Sequence, residues 1–200
     1  MQPKKNGLLA AFFAAGLFVA GTSQAAYISE VEPNNSIAQA QSLDGHFTTD
    51  YDADITNSTT MAHASVTGTG DGTWDYYSFT LSALSSVIFD IDYGMPDLDS
   101  WLNIYDAAGT RIAYNDDSST IDPGSSHHYD SYLSTTLAAG VYYIAVGQYS
   151  NSPISSGKDY TLHVSASYPA AVPLPAAAPL LLSGLGILGA LGSKRRKKAI

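Results

Sequence analysis

Tyr76-Tyr77-Ser78-Phe79-Thr80-Leu81, followed shortly by Val87-Ile88-Phe89-Asp90-Ile91-Asp92-Tyr93, decides the fold class of this chain. In the first run Tyr77, Phe79 and Leu81 alternate with Tyr76, Ser78 and Thr80; in the second Val87, Phe89, Ile91 and Tyr93 alternate with Ile88, Asp90 and Asp92. Side chains of an extended backbone point to opposite faces in turn, so a period of two marks strands that bury one face. The same reading predicts strands over Ala64–Thr69, Trp101–Tyr105, Arg111–Tyr114, Tyr132–Leu137, Val141–Gln148 and Tyr160–Ala166. Asp106-Ala107-Ala108-Gly109, Asp122-Pro123-Gly124 and Ala138-Ala139-Gly140 interrupt them with residues that permit sharp bends. The only helical suggestion is Ser36 to Leu43, behind a cap at Asn35. Residues 26–168 are therefore expected to form one all-β domain, a jelly-roll-like β-sandwich of about eight strands.

Composition supports a single core. The 200 residues are 45% hydrophobic and 11% aromatic, which excludes disorder throughout. The absence of cysteine excludes disulfides, thiolate metal sites and a cysteine nucleophile. The net charge of −9 conceals a segregation: Lys4 and Lys5 sit at one end, Lys194, Arg195, Arg196, Lys197 and Lys198 at the other, and all 18 acids lie between Glu30 and Asp159 with only Arg111 and Lys158 among them. So acidic a middle repels nucleic acid and anionic lipid and attracts cations.

Both ends look like targeting devices. Lys4 and Lys5, the apolar run Leu8–Ala20 and the small-residue exit Ser23-Gln24-Ala25 have the order of a secretory signal, with cleavage by signal peptidase expected after Ala25. At the other end, Val172-Pro173-Leu174-Pro175-Ala176 precedes an apolar stretch, Leu180–Gly192, and the basic cluster Lys194–Lys198 follows at once. As a helix that stretch covers about 20 Å, and Ala176–Pro179 extends it to a marginal membrane-spanning length. The cationic stop would keep its end in the cytoplasm. This three-part tail, residues 169–200, resembles the PEP-CTERM sorting signals of Gram-negative bacteria, in their Val-Pro-Leu-Pro-Ala variant. The resemblance implies an inner-membrane-anchored precursor that an exosortase recognises and cleaves, then display at the cell surface or in an extracellular, exopolysaccharide-containing matrix. Two prolines leave the motif extended and accessible, as a protease requires.

Glu30-Val31-Glu32-Pro33-Asn34-Asn35 with Ala38 and Ala40, then Asp75-Tyr76-Tyr77-Ser78-Phe79, then Asp99-Ser100-Trp101-Leu102-Asn103-Ile104-Tyr105-Asp106 with Gly109 and Asn115-Asp116-Asp117, and last Gly140-Val141-Tyr142-Tyr143, occur in that order over Ile28–Ala166. Together they resemble the bacterial pre-peptidase C-terminal domain, an accessory module usually appended to secreted peptidases. That resemblance implies a non-catalytic sandwich.

In an extended segment Glu30 and Glu32 project to one side about 7 Å apart, so both carboxylates can reach one ion. Asn34 and Asn35 add amide oxygens without further charge. Calcium takes six to eight oxygens at about 2.4 Å, so this hexapeptide could supply half a shell. Asp71 and Asp75, flanking Gly72, are the expected other half; the family resemblance points to the same acids, although Thr73 and Trp74 lengthen the spacing between them. The competing reading leaves Glu30 and Glu32 as solvated charges and Asn34 as a cap. A second constellation, Asp97 and Asp99 with Asn115, Asp116, Asp117 and Asp130, would hold a second ion if the loops converge, or would simply form Asx turns.

Catalytic signatures are absent from the sequence. No Gly-x-Ser-x-Gly, His-Glu-x-x-His or phosphate-cradling glycine loop occurs, and the adjacent His127 and His128 would point apart on a strand. The expectation is a non-enzymatic protein whose exposed Tyr76, Trp101 and Tyr149 contact exopolysaccharide or a surface protein. The alternative is a secreted hydrolase of polysaccharide or peptide using a carboxylate pair, Asp90 with Asp92 or Asp97 with Asp99.

Overall fold

A computed structural model of the chain describes residues 25–92, 98–119, 121–126 and 128–170. The leader, the Val172–Ala176 motif, the apolar tail, the basic stop, Asp97 and His127 lie outside the described residues.

The two runs that decide the fold class are adjacent strands in sequence but belong to different sheets. One sheet has the order β1 (Tyr27–Ser29), β3 (Ala62–Thr69), β10 (Asp159–Ala166), β5 (Ser85–Asp92), β8 (Tyr132–Leu137). The other has the order β2 (Gln41–Ser42), β4 (Asp75–Leu81), β9 (Gly140–Gln148), β6 (Ser100–Tyr105), β7 (Arg111–Asn115). The β1–β3 and β2–β4 pairs are parallel and the remaining pairs antiparallel. The expected β-sandwich is present, with five strands in each sheet.

Alternate residues fill the space between the sheets as the period of two requires. Val87, Phe89 and Ile91 of β5 and Leu162 and Val164 of β10 face Tyr77 and Phe79 of β4, Leu102 and Ile104 of β6 and Ile144 and Val146 of β9, all fully buried. Phe79 meets Phe89 edge-on across the sandwich at 5.7 Å and stacks on its cross-strand partner Tyr142 at 5.8 Å. Such ring geometries add about 1 kcal/mol each beyond area burial.

Two details differ from expectation. The Ser36–Leu43 segment forms only a 3-10 turn, Ile37–Gln39, before pairing as β2, and the residue at the cap position is Ser36 rather than Asn35. The strands β1 and β2 are three and two residues long, too short to show alternation. In addition, the outer face of the first sheet is covered. His63, Ser65, Asp90, Asp92, Thr161, His163 and Ser165 point away from the core yet are buried. Residues 51–58 lie over part of this face: Ile55, Thr56 and Asn57 close a cavity against Ile88, His163 and Ser165, and Tyr27, bonded to Asp52, sits edge-on to His163 at 5.7 Å.

Candidate metal centre

The chain leaves β1 at Ser29, and Glu30 N–H still donates to Thr67 O (2.9 Å) on β3. Four residues later the carbonyl of Asn34 accepts from Tyr76 N–H (2.8 Å) on β4 of the opposite sheet. The Glu30–Asn34 segment thus bridges the two sheets and brings its carboxylates to Asp75, the first residue of β4. Glu30, Glu32 and Asp75 each offer a carboxylate oxygen, and these oxygens lie within 4.8 Å of one another.

Hydrogen bonds hold Glu30 from behind. Its Oε1 accepts from Asn34 Nδ2 (2.8 Å) and Tyr77 Oη (2.8 Å), and its Oε2 from Thr69 N–H (2.9 Å). Glu32 Oε2 accepts from Asn34 N–H (2.9 Å). Tyr160 Oη lies 2.8 Å from Asp75 Oδ2, 3.1 Å from Glu30 Oε1 and 2.7 Å from Tyr77 Oη. Two phenols carry two protons, and four contacts compete for them. A proton kept on one carboxyl would supply a third donor, and a cation would offset the crowded negative charge.

Electrostatics give the same answer. Burial, with the Glu30 charge behind it, pushes the Asp75 carboxyl up to about 8. Partial desolvation raises Glu32 as well, against the lowering effect of Asn34 N–H and with Glu30 and Asp71 adding to the rise. Burial, followed by neighbouring charge, holds the Tyr77 and Tyr160 phenols well above their ordinary value, so both remain donors. Meanwhile Asp75 Oδ1, Asn34 Oδ1 and Asn35 Oδ1 are buried without a hydrogen-bond partner, although Asp75 and Asn34 are both 0% exposed. Unpaired buried oxygens beside crowded carboxylates are a donor set suited to a hard cation, and Glu32, being exposed, leaves an approach from solvent.

Of the residues expected at this site, Glu30, Glu32, Asn34, Asn35 and Asp75 stand in one segment or beside it. Asp71 does not join the grouping. Its Oδ1 instead caps its own turn, accepting from Thr73 N–H (2.9 Å) and Thr73 Oγ1 (2.6 Å). The inserted Trp74 packs on Gly147, where a Cβ would collide with the indole.

The second constellation is not assembled as expected. Among the described residues no three of Asp99, Asp116, Asp117 and Asp130 converge. Asn115 Oδ1 accepts from Tyr132 N–H (3.1 Å) and Asp130 Oδ2 from Ser126 N–H (3.0 Å), so both brace loops. The acids that do converge are Asp90, Asp92 and Asp122, again with oxygens within 4.8 Å. Sequence reasoning missed this grouping because it depends on a loop folding onto the outside of a sheet; the signal that could have found it was two acids at i and i+2 on one strand.

Trp101 and Tyr114 stack nearly parallel on the outer face of the second sheet (5.5 Å, 6°), with Arg111 5.0 Å from the Tyr114 ring. Tyr76 lies against Tyr105 at 6.3 Å, and Tyr149 is 62% exposed.

Comparison with curated proteins gave no match. Among solved structures, the pre-peptidase C-terminal domain of collagenase from Bacillus anthracis is similar over 51% of this chain and 86% of that one, at 15% identity and a TM-score of 0.36. Residues 73–148, from the entrance of β4 to the end of β9, match the family model of the bacterial pre-peptidase C-terminal domain.

Proposed function

We propose that this chain is an exported, non-catalytic surface or matrix protein of a Gram-negative bacterium, whose β-sandwich is stabilised by calcium at Glu30, Glu32, Asn34, Asn35 and Asp75. Residues 1–25 direct export through signal peptidase, and residues 169–200 anchor the precursor in the inner membrane until an exosortase acts at Val172–Ala176. The observation that carries the calcium reading is that carboxylate oxygens of Glu30, Glu32 and Asp75 lie within 4.8 Å of one another, while Asp75 Oδ1 and Asn34 Oδ1 are buried and unpartnered. A cation there would join the two sheets through the Glu30–Asn34 bridge, so ion binding would act as a cross-brace.

The non-catalytic reading is supported by the burial of the described carboxylate pair. Asp90 and Asp92 are 5% and 0% exposed, and the cavity beside Asp90 measures about 150 Å³, below the several hundred Å³ of small-molecule sites. A sugar flanked by two acids does not fit there. For binding, the Trp101–Tyr114 platform offers flat apolar faces with polar tips, chemistry suited to the sugars of an exopolysaccharide or to a surface protein.

The test is thermal unfolding of the full chain in calcium and in chelator. A ligand that binds only the folded state at a hundredfold excess over its Kd adds about 2.7 kcal/mol. Glu32→Gln should abolish most of that gain; identical melts of the wild type with and without calcium would reject the reading.

A further inference from the structure

The outer face of the first sheet carries a second crowded set of acids. Asp90 and Asp92 sit two residues apart on β5, where they would ordinarily meet solvent; the Asp122–Ser126 loop folds over them instead. Ser125 Oγ donates to Asp92 Oδ1 (3.1 Å), and Gly124, at φ +94°, lies so close that a Cβ would collide with the Asp92 carboxylate. This closure delivers Asp122 as a third carboxylate onto two that are already buried.

Three carboxylates within 4.8 Å repel strongly in a medium of low dielectric, and burying even one of them without compensation is strongly unfavourable. Hydrogen bonds do not supply that compensation in full. Asp90 Oδ1, Asp92 Oδ2 and Asp122 Oδ1 have no hydrogen-bond partner. His163, 1% exposed, places Nε2 3.2 Å from Asp92 Oδ2, an ion pair when the ring is protonated, so Asp92 is compensated in part while Asp90 and Asp122 are not. His163 is held from its other side by Ser65, whose Oγ lies 2.7 Å from Nδ1. Asp90, Asp122 and His163 all line the cavity of about 150 Å³, together with Tyr132, Thr56 and Asn57. That volume holds a metal ion and several waters, each near 30 Å³.

We propose that Asp90, Asp92 and Asp122 form a second site for a hard divalent cation of the calcium class at the edge of this cavity, with His163 as the positioning residue that orients Asp92 through Nε2. The all-oxygen primary set selects calcium, magnesium or manganese over softer metals, and three monodentate carboxylates leave positions for cavity waters. Serine, histidine and aspartate in a row is also the order of a hydrolytic triad, but Ser65 at 2% exposure has no access to a substrate. Its place is that of a hydrogen-bond anchor that fixes the ring of His163. The rival occupant is a proton shared between Asp90 and Asp122, whose crowding, after burial, pushes Asp90 up to about 10.

The two occupants are separated by calorimetric titration of the full chain with calcium chloride, with circular dichroism confirming the fold of each variant. The wild type is expected to take up two ions, Asp122→Asn one, Glu32→Gln one, and the double variant none. Asp122 is only half-buried and its amide is isosteric, so the fold should survive; Asp90→Asn is the second variant and should also lose one ion. His163→Gln should keep the stoichiometry but weaken the second site at least tenfold. The inference is overturned if folded Asp122→Asn and Asp90→Asn both retain the wild-type stoichiometry, the result a shared proton would give. Loss of an ion in these variants but not in Glu32→Gln would sink the first site and leave the second standing.

Discussion

Asp75 offers the most demanding test of how the fold manages its acids, because calcium should reverse the sign of its contribution. In the ion-free protein burial and Glu30 push its carboxyl up to about 8, against about 3.9 in an unfolded chain. The native state therefore binds more protons than the unfolded state between those values. The resulting stability is fully present below about pH 4 and is lost as pH rises through about 8. A tenfold difference in proton affinity between the two states is worth about 1.4 kcal/mol, so the loss is several kcal/mol, a large part of the 5–15 kcal/mol that stabilises a typical domain.

Calcium changes this because the cation favours the ionised carboxylate and displaces its proton. Urea unfolding at pH 5, 7 and 8.5, in chelator and in excess calcium, should give a stability that falls with pH in the first series and does not in the second. Asp75→Asn isolates the contribution of this group from that of Asp90, which shifts in the same direction. In chelator the variant should exceed the wild type by about 1 kcal/mol near pH 5 and by a few kcal/mol at pH 8.5; in calcium it should be weaker at every pH. A wild type as stable as Asp75→Asn at pH 8.5 in chelator would refute the reasoning, since Asp75 would then be ionised in the fold without penalty.

Three further outcomes follow from the packing. Phe89→Ala removes a ring buried against Phe79 of the opposite sheet and should cost about 3–5 kcal/mol, measured by urea unfolding in calcium. Asp106→Ala should cost about 1 kcal/mol, because Asp106 Oδ1 accepts from both Ala108 N–H and Thr110 N–H in the turn between β6 and β7. Gly124→Ala should destabilise by more than the usual glycine replacement, because it combines a left-handed φ with a collision at Asp92; an unchanged urea midpoint would mean the loop does not close over that carboxylate.

Much of this architecture was legible in the sequence because alternation is a local property. Tyr77, Phe79 and Leu81 declare their face within six residues, and so do Val87, Phe89 and Ile91. The assignment of each strand to a sheet was not legible: β4 and β5 are joined by a short turn yet pair with β9 and β10, an outcome set by contacts distant in sequence. At the first candidate site, Glu30, Glu32 and Asn34 could be grouped because they share one extended segment, and Asp75 because it stands at a strand entrance. Asp71 looks equivalent in the sequence, but Thr73 supplies two donors close at hand, and a local Asx turn takes up its Oδ1.

The outer face of the first sheet shows where alternation stops being informative. Asp90 and Asp92 obey the pattern of a half-exposed strand, since both point away from the core, and nothing nearby in sequence marks them as buried. What buries them arrives from two separate loops, residues 51–58 and 122–126, whose polar composition suits solvent equally well. A polar face covered by polar loops cannot draw its stability mainly from apolar area; it needs hydrogen bonds and compensated charge. Tyr27 with Asp52, Ser65 with His163 and Ser125 with Asp92 supply the first of these. His163 beside Asp92 supplies part of the second, and the unpartnered oxygens of Asp90 and Asp122 leave the rest to a cation or a proton. The stability of this outer layer should therefore follow ion and proton activity, while the apolar core between the sheets should not.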